Sequence, residues 1–228
     1  GIFYRNGSRQ TGRRTQMNLD NIKIADMRII LNKDTTLARY YPLIPWKETI
    51  IERLTGNGIL FKSQYDEIYD SDFERIRQIT GMQEGIDESF HAALHLHDFK
   101  NRSIKEFKSI GSDVIEEVLA HGYRKSLDII KLASEKSEEE MSEILHIDRT
   151  DVRKICAMCH LMRLPGVKDT RASLYYDCGL QRLDDFRNST QDKILETIAD
   201  YIGHSGCGKS VPQKKELATQ IAVSRILP

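Results

Sequence analysis

The sequence has no long apolar run, no excess of either charge, and only 4 cysteines, 5 prolines and 1 tryptophan in 228 residues. Each scarcity excludes something. No run approaches the roughly 18 apolar residues of a membrane-spanning helix, so the chain is expected not to enter a membrane. The 34 basic residues balance 34 acidic ones, so no global field drives indiscriminate nucleic-acid binding. Any such contact has to come from local patches. Cys156, Cys159, Cys178 and Cys207 are too sparse for a disulfide-stapled scaffold. Gly1-Ile2-Phe3-Tyr4 lacks the apolar core of a signal peptide. A reduced cytoplasmic protein is the expectation.

What is present is a recurring phrase. A short apolar hairpin with Gly or Pro stands at Ile44-Pro45-Trp46, Ile79-Thr80-Gly81-Met82, Ile110-Gly111-Ser112 and Leu164-Pro165-Gly166-Val167. A helix-length segment follows each and stops at Gly58-Ile59, Asp98-Phe99, Gly122-Tyr123 and Gly179-Leu180. A second segment then starts near Tyr65-Asp66-Glu67-Ile68, Ile104-Lys105-Glu106-Phe107, Leu127-Asp128-Ile129-Ile130 and Leu183-Asp184-Asp185-Phe186. Repetition at this period predicts stacked helical hairpins.

Local signals agree with it. Apolar positions recur at helical spacing in Trp46 to Leu54 and in Val114, Ile115, Val118 and Leu119. Capping-box spacing marks helix starts at Ser71 with Glu74, Ser103 with Glu106 and Ser137 with Glu140. The acidic run Glu135 to Glu143 carries Met141, Ile144 and Leu145 and reads as a solvated helix face. A last helix opens after Val211-Pro212, turns Leu217, Ile221 and Ile226 inward, and is expected to cap the array. Residues 21 to 31 fit a short strand or a helix equally well. Before them, Arg5, Arg9, Arg13 and Arg14 lie among Gly, Ser, Thr and Asn, which predicts a mobile basic arm.

The segment Leu161-Met162-Arg163-Leu164-Pro165-Gly166-Val167 follows Ile147-Asp148-Arg149-Thr150-Asp151-Val152 and precedes Gly179-Leu180 and Leu183-Asp184-Asp185-Phe186. On these residues the chain resembles tandem helix-hairpin-helix proteins, and more closely a family catalogued as a domain of unknown function. The closing stretch from Val211 to Pro228 resembles that family's ending. The likeness is good from about Ile110 onward and weaker from Ile44 to Ile110. It implies a SAM-like all-helical array in which hairpin N–H groups meet a phosphate and two glycines allow the approach. Here the second glycine is replaced by Lys168 in the last hairpin and by Gln83 in the second, Asp113 follows Gly111, and the first hairpin has no glycine. The resemblance therefore implies phosphate contact at Gly166, Lys168, Arg171 and Arg163. A second cluster is Arg149 with Arg153, and Gly111 and Gly81 mark the eroded hairpins.

Other motifs carry less. Gly203-His204-Ser205-Gly206-Cys207-Gly208-Lys209-Ser210 matches G-x-x-x-x-G-K-[ST], but a helical pattern precedes it and Pro212 follows, where a nucleotide loop needs a strand and a long helix. A Gly-rich connector is expected. Cys156-Ala157-Met158-Cys159-His160 has haem-attachment spacing but sits in a helical pattern that buries both sulfurs as free thiols. His91 and His95 share a helix face, yet no Glu follows His91 and His97 falls off that face, so a half-buried face outweighs a zinc site. Asp184-Asp185 suits a helix N-terminus. No nucleophile, base and acid constellation stands out.

Together these features predict an all-α tandem array. Its parts are an arm and lead-in over 1–36, degenerate repeats over 37–109, and a better-matched domain over 110–228. The expected function is non-enzymatic, sequence-independent DNA or RNA binding. The alternative is a protein-interaction scaffold. No cofactor, metal or membrane partner is expected.

Overall fold

The computed structural model describes residues 21–228. The predicted basic arm, Arg5 to Gln16, lies outside the described residues. The lead-in resolves as an extended stretch around Lys23, a 3-10 turn at Ile24–Asp26 and helix α1, Met27–Asp34. A second 3-10 turn, Ala38–Leu43, leads to α2, Lys47–Gly56, then α3, Lys62–Ser71, α4, Phe73–Thr80, and α5, Ile86–His95. After the 3-10 turn Ile104–Glu106 come α6, Ser112–Ala120, α7, Ser126–Glu135, α8, Glu138–Leu145, and α9, Arg149–Leu161. The chain closes with α10, Asp169–Asp177, α11, Leu183–Arg187, α12, Gln191–Ser205, and α13, Lys214–Ile226. The described chain is all-helical. Its β-type pairing is confined to two isolated antiparallel bridges, Lys23 with Phe61 and Ser103 with Lys125.

Three helix junctions share one hydrogen-bond pattern. Gly58, Gly122 and Gly179 take φ of 80°, 88° and 84°, the left-handed region that a side chain resists. The next residue then bonds back five positions: Ile59 N–H to Leu54 O at 3.0 Å, Tyr123 to Val118 at 3.2 Å and Leu180 to Tyr175 at 2.9 Å. Each following helix is started by a side chain that accepts two backbone N–H groups. Gln64 takes those of Leu60 and Phe61, Asp128 those of Arg124 and Lys125, and Asp185 those of Gln181 and Arg182. The sequence phrase thus corresponds to a repeated physical device at three places. At Asp98 the device is absent, and the carboxylate bonds His95 instead.

Capping agrees at Ser137 with Glu140, where both reciprocal bonds form at 2.8 and 3.2 Å. It differs at Ser71. There α3 runs through Ser71, whose hydroxyl donates to Glu67 O, and Asp72 caps α4 by accepting from Arg75 N–H. An aspartate one residue later out-competes serine because its charged oxygen also opposes the helix dipole.

One apolar core runs from Ile24 to Leu227. Helix α13 packs against α11, α12 and α1, so the end of the chain lies on its first helix. In α13, Leu217, Ile221 and Ile226 are buried together with Gln220, which accepts a hydrogen bond from Tyr175 Oη at 2.7 Å. A buried polar pair of this kind is tolerated because each group has its partner.

Candidate functional site

The hairpin between α9 and α10 places its expected phosphate ligands in different surroundings. Gly166 is exposed at φ 74°, with open space where a Cβ would stand. Lys168 precedes α10, is exposed, and has no ion-pair partner among the described residues. Arg171 turns to the Gly-rich connector: its Nη1 donates to Ser210 O at 2.8 Å and its Nε lies 3.4 Å from Glu216. Arg163 is 3% exposed and donates to Pro228 O at 3.1 Å. Burial beside that guanidinium holds the His160 imidazole down to about 4. The N-terminus of α10 carries its own anion, since the Asp169 carboxylate accepts from Ser109 N–H at 3.0 Å and Ser109 Oγ at 2.7 Å.

The second cluster is also engaged. Arg149 pairs with Glu139 and Arg153 with Glu138, the latter at 2.7 Å, so these side chains lace α9 to α8. Gly81 closes α4 at φ 67°, and the Arg53 guanidinium fills the space beside it while donating to Thr80 O. Gly111 precedes α6 at φ −53°, a value open to any residue, with the Asp113 carboxylate against it. Of the five basic residues expected at phosphate, Lys168 alone is both exposed and without an ion pair among the described residues.

A basic seam is built instead by the bridge at Ser103 and Lys125. Ile104 N–H bonds Arg124 O and Ser126 N–H bonds Arg102 O, both at 2.9 Å, which lays 102–104 antiparallel to 124–126. Arg124 and Lys125 on the second segment, and Lys100, Lys105 and Lys108 flanking the first, are all exposed, and among the described residues none has an ion-pair partner. Ser109, next to Lys108, holds Asp169, next to Lys168, so the seam continues to the Gly166 hairpin. The sequence signal was the spacing of Lys100, Arg102, Lys105 and Lys108. It points nowhere until the bridge brings Arg124 and Lys125 alongside.

A different polar cluster joins α3 to α5. His95 Nε2 meets Asp66 at 2.9 Å and its Nδ1 meets Asp98 at 2.6 Å, while Lys62 Nζ lies 3.2 Å from each of these aspartates. The two carboxylates raise His95 to about 9, and His95 and Lys62 hold both aspartates below the ordinary carboxylate range despite their burial. Two cations face two anions. His91 stacks on Tyr69 with ring centroids 3.9 Å apart, and burial lowers its pKa from the ordinary imidazole value. His97, off that face, meets buried Asp34 at 2.8 Å. Lys62, Asp66, His97 and Asp98 edge a cavity of about 290 Å³ whose apolar lining includes Met27, Ile30, Leu94, Phe99, Val223 and Ile226.

Of the expected connector Gly203 to Ser210, the first three residues are the end of α12 and only Gly206 to Ser210 form a loop, whose Lys209 Nζ lies 3.7 Å from Asp177. Cys156 and Cys159 are free thiols on α9. Burial raises Cys156 to about 12 and Cys159 well above the ordinary value. No helix of the described residues is long and apolar enough to cross a membrane. No known protein family, curated protein or solved structure matches this chain.

Proposed function

We propose that this all-helical chain is a non-enzymatic, sequence-independent nucleic-acid-binding module of helix-hairpin-helix type, contacting phosphates through a basic seam. The observation that carries the reading is that the pairing of 102–104 with 124–126 sets exposed Arg124 and Lys125 beside the stretch that bears exposed Lys105 and Lys108, and that Ser109 ties this stretch to Asp169, next to Lys168. Flexible cationic heads beside a rigid backbone bridge neutralise phosphates and release counterions without reading bases. In this reading Gly166 and Lys168 lie at the edge of the interface. Arg149, Arg153, Arg163 and Arg171 act as internal braces. The triple substitution Lys105→Glu, Arg124→Glu, Lys125→Glu tests it, because all three side chains are exposed and the seam's backbone bonds do not need them.

A second reading is a protein-interaction scaffold, favoured by exposed apolar residues on one segment. Leu37, Tyr41 and Ile44 are 37%, 54% and 50% exposed around the 3-10 turn before α2. Exposed apolar side chains that join into one large patch mark contact surfaces. Tyr41→Ser with Ile44→Ser would abolish partner capture in this reading and leave nucleic-acid binding unchanged in the first.

A further inference from the structure

A groove of about 620 Å³ between α6 and the α8–α9 turn gathers Asp113, Glu116, Glu117, Glu143, Asp148 and Asp151 with His146 but no lysine or arginine in its lining. In a chain of zero net charge this concentration is local and uncompensated. At its edge, side chains from two elements converge. Glu117 lies in the last turn of α6, His121 four residues on caps the end of that helix, and His146 closes α8. One ligand atom from each of the three lies within 4.8 Å of the others, and the two imidazoles sit 4.6 Å apart at 65°.

We propose that Glu117, His121 and His146 bind a divalent first-row transition cation of the zinc class. The His121 tautomer suits the role. Its Nδ1 meets Glu117 backbone O at 2.8 Å, and a carbonyl oxygen can only accept, so the proton is on Nδ1 and Nε2 keeps its lone pair. A ligating imidazole is usually oriented in this way by its second nitrogen. His146 adopts φ 53°, the one left-handed non-glycine among the described residues, at a helix end where glycine is the usual occupant. Two imidazoles and a carboxylate are a donor set for zinc-like ions rather than for magnesium or calcium, which take oxygen. Around a tetrahedral zinc with bonds of roughly 2.0–2.1 Å the donors stand about 3.3 Å apart. The donors stand within 4.8 Å of one another, so binding requires the exposed Glu117 and His146 side chains to close in on the ion.

The rival cluster, Asp66 with His91 and His95, has the same ligand types but is already supplied with cations. The Lys62 ammonium lies between Asp66 and Asp98, and both nitrogens of His95 face carboxylates. A metal there would have to displace a proton and an ammonium. At Glu117 it meets a carboxylate whose ion-pair contact among the described residues is with His121, one of the proposed ligands, at 3.9 Å.

Zinc titration of the full chain by calorimetry tests the assignment, with Co²⁺ absorption as a second readout. The expected result is one site that weakens at least about tenfold in His121→Gln and in His146→Gly, since even supporting residues around a metal typically contribute roughly 10–100-fold. Glycine at 146 relaxes the backbone, so loss of affinity in that variant cannot be loss of folding. His95→Gln should leave the site intact, and magnesium should not compete. Unchanged zinc affinity in His146→Gly, loss of the site in His95→Gln, or equal binding of magnesium would each overturn the assignment.

Discussion

Ser109 holds Asp169 by two hydrogen bonds, from its N–H at 3.0 Å and its hydroxyl at 2.7 Å, and so ties the segment after the basic seam to the first residue of α10. The carboxylate occupies the helix N-terminus at which a hairpin of this kind would receive a phosphate. In the nucleic-acid reading proposed above, phosphate contact therefore falls to the side chains around the N-terminus of α10 rather than to its N–H groups.

Asp169→Ala should lower stability by about 1–3 kcal/mol, through loss of both bonds and of a favourable charge at the helix start. The same variant should bind nucleic acid slightly more tightly, because it removes a negative charge beside Lys168. Thermal unfolding and a binding titration read the two effects separately. A fall in both would contradict the charge argument.

The Lys62, Asp66, His95 and Asp98 network makes stability depend on pH at both ends. His95 is raised from 6.5 to about 9, so its contribution is complete below about pH 6.5 and is lost as pH climbs through about 9. Asp66 and Asp98 are lowered from 3.8, so theirs is present above that value and is lost as pH falls below it. His95→Gln should cost about 1–3 kcal/mol at pH 6 and flatten the alkaline limb. Denaturant midpoints measured from pH 2 to pH 10 check both limbs. An unchanged alkaline limb in the variant would assign that limb to another group.

Gly122→Ala should destabilise by about 1–2 kcal/mol, because φ of 88° is strained for any side chain even though the space beside it is open. Its partner in the same junction, Asp128, accepts the Arg124 and Lys125 N–H groups at 2.9 and 2.8 Å. Asp128→Ala should cost a similar amount and, by loosening that turn, weaken binding at the seam. Urea unfolding of the two variants provides the comparison.

Thiol reactivity should divide along the chain. Cys207 is exposed, and hydrogen bonds from Ser205 and from the loop backbone, with Lys209 nearby, favour its thiolate. Cys159 is fully buried and resists ionisation. Timed alkylation followed by mass spectrometry should label Cys207 first and Cys159 only on unfolding. Equal rates at the two would show that α9 is more open than its packing indicates.

The helical class and most helix ends were legible because they are local. Gly58, Gly122 and Gly179 stop helices by their own backbone freedom, and Ser137 with Glu140 caps within three residues. The site was less legible because its contacts are not local. Arg153 looked like a free cation until α8 brought Glu138 to it, and Arg171 until the connector brought Ser210. Lys62 and His95 are 33 residues apart, and no periodicity couples them. The seam needed the bridge between Ser103 and Lys125, a pairing that leaves no mark in composition. Asp72 displaced Ser71 as a cap because charge at a helix start outweighs the residue pattern.

The most direct test of the nucleic-acid reading is fluorescence polarisation of the chain against labelled duplex DNA over increasing salt, beside the Lys105→Glu, Arg124→Glu, Lys125→Glu variant. With about three to four phosphates neutralised, the logarithm of affinity should fall against the logarithm of salt with a slope of about −3 to −4, and the variant should bind weakly with a flatter slope. Absence of binding by the unaltered chain at low salt, or equal binding and slope in the variant, would contradict the account.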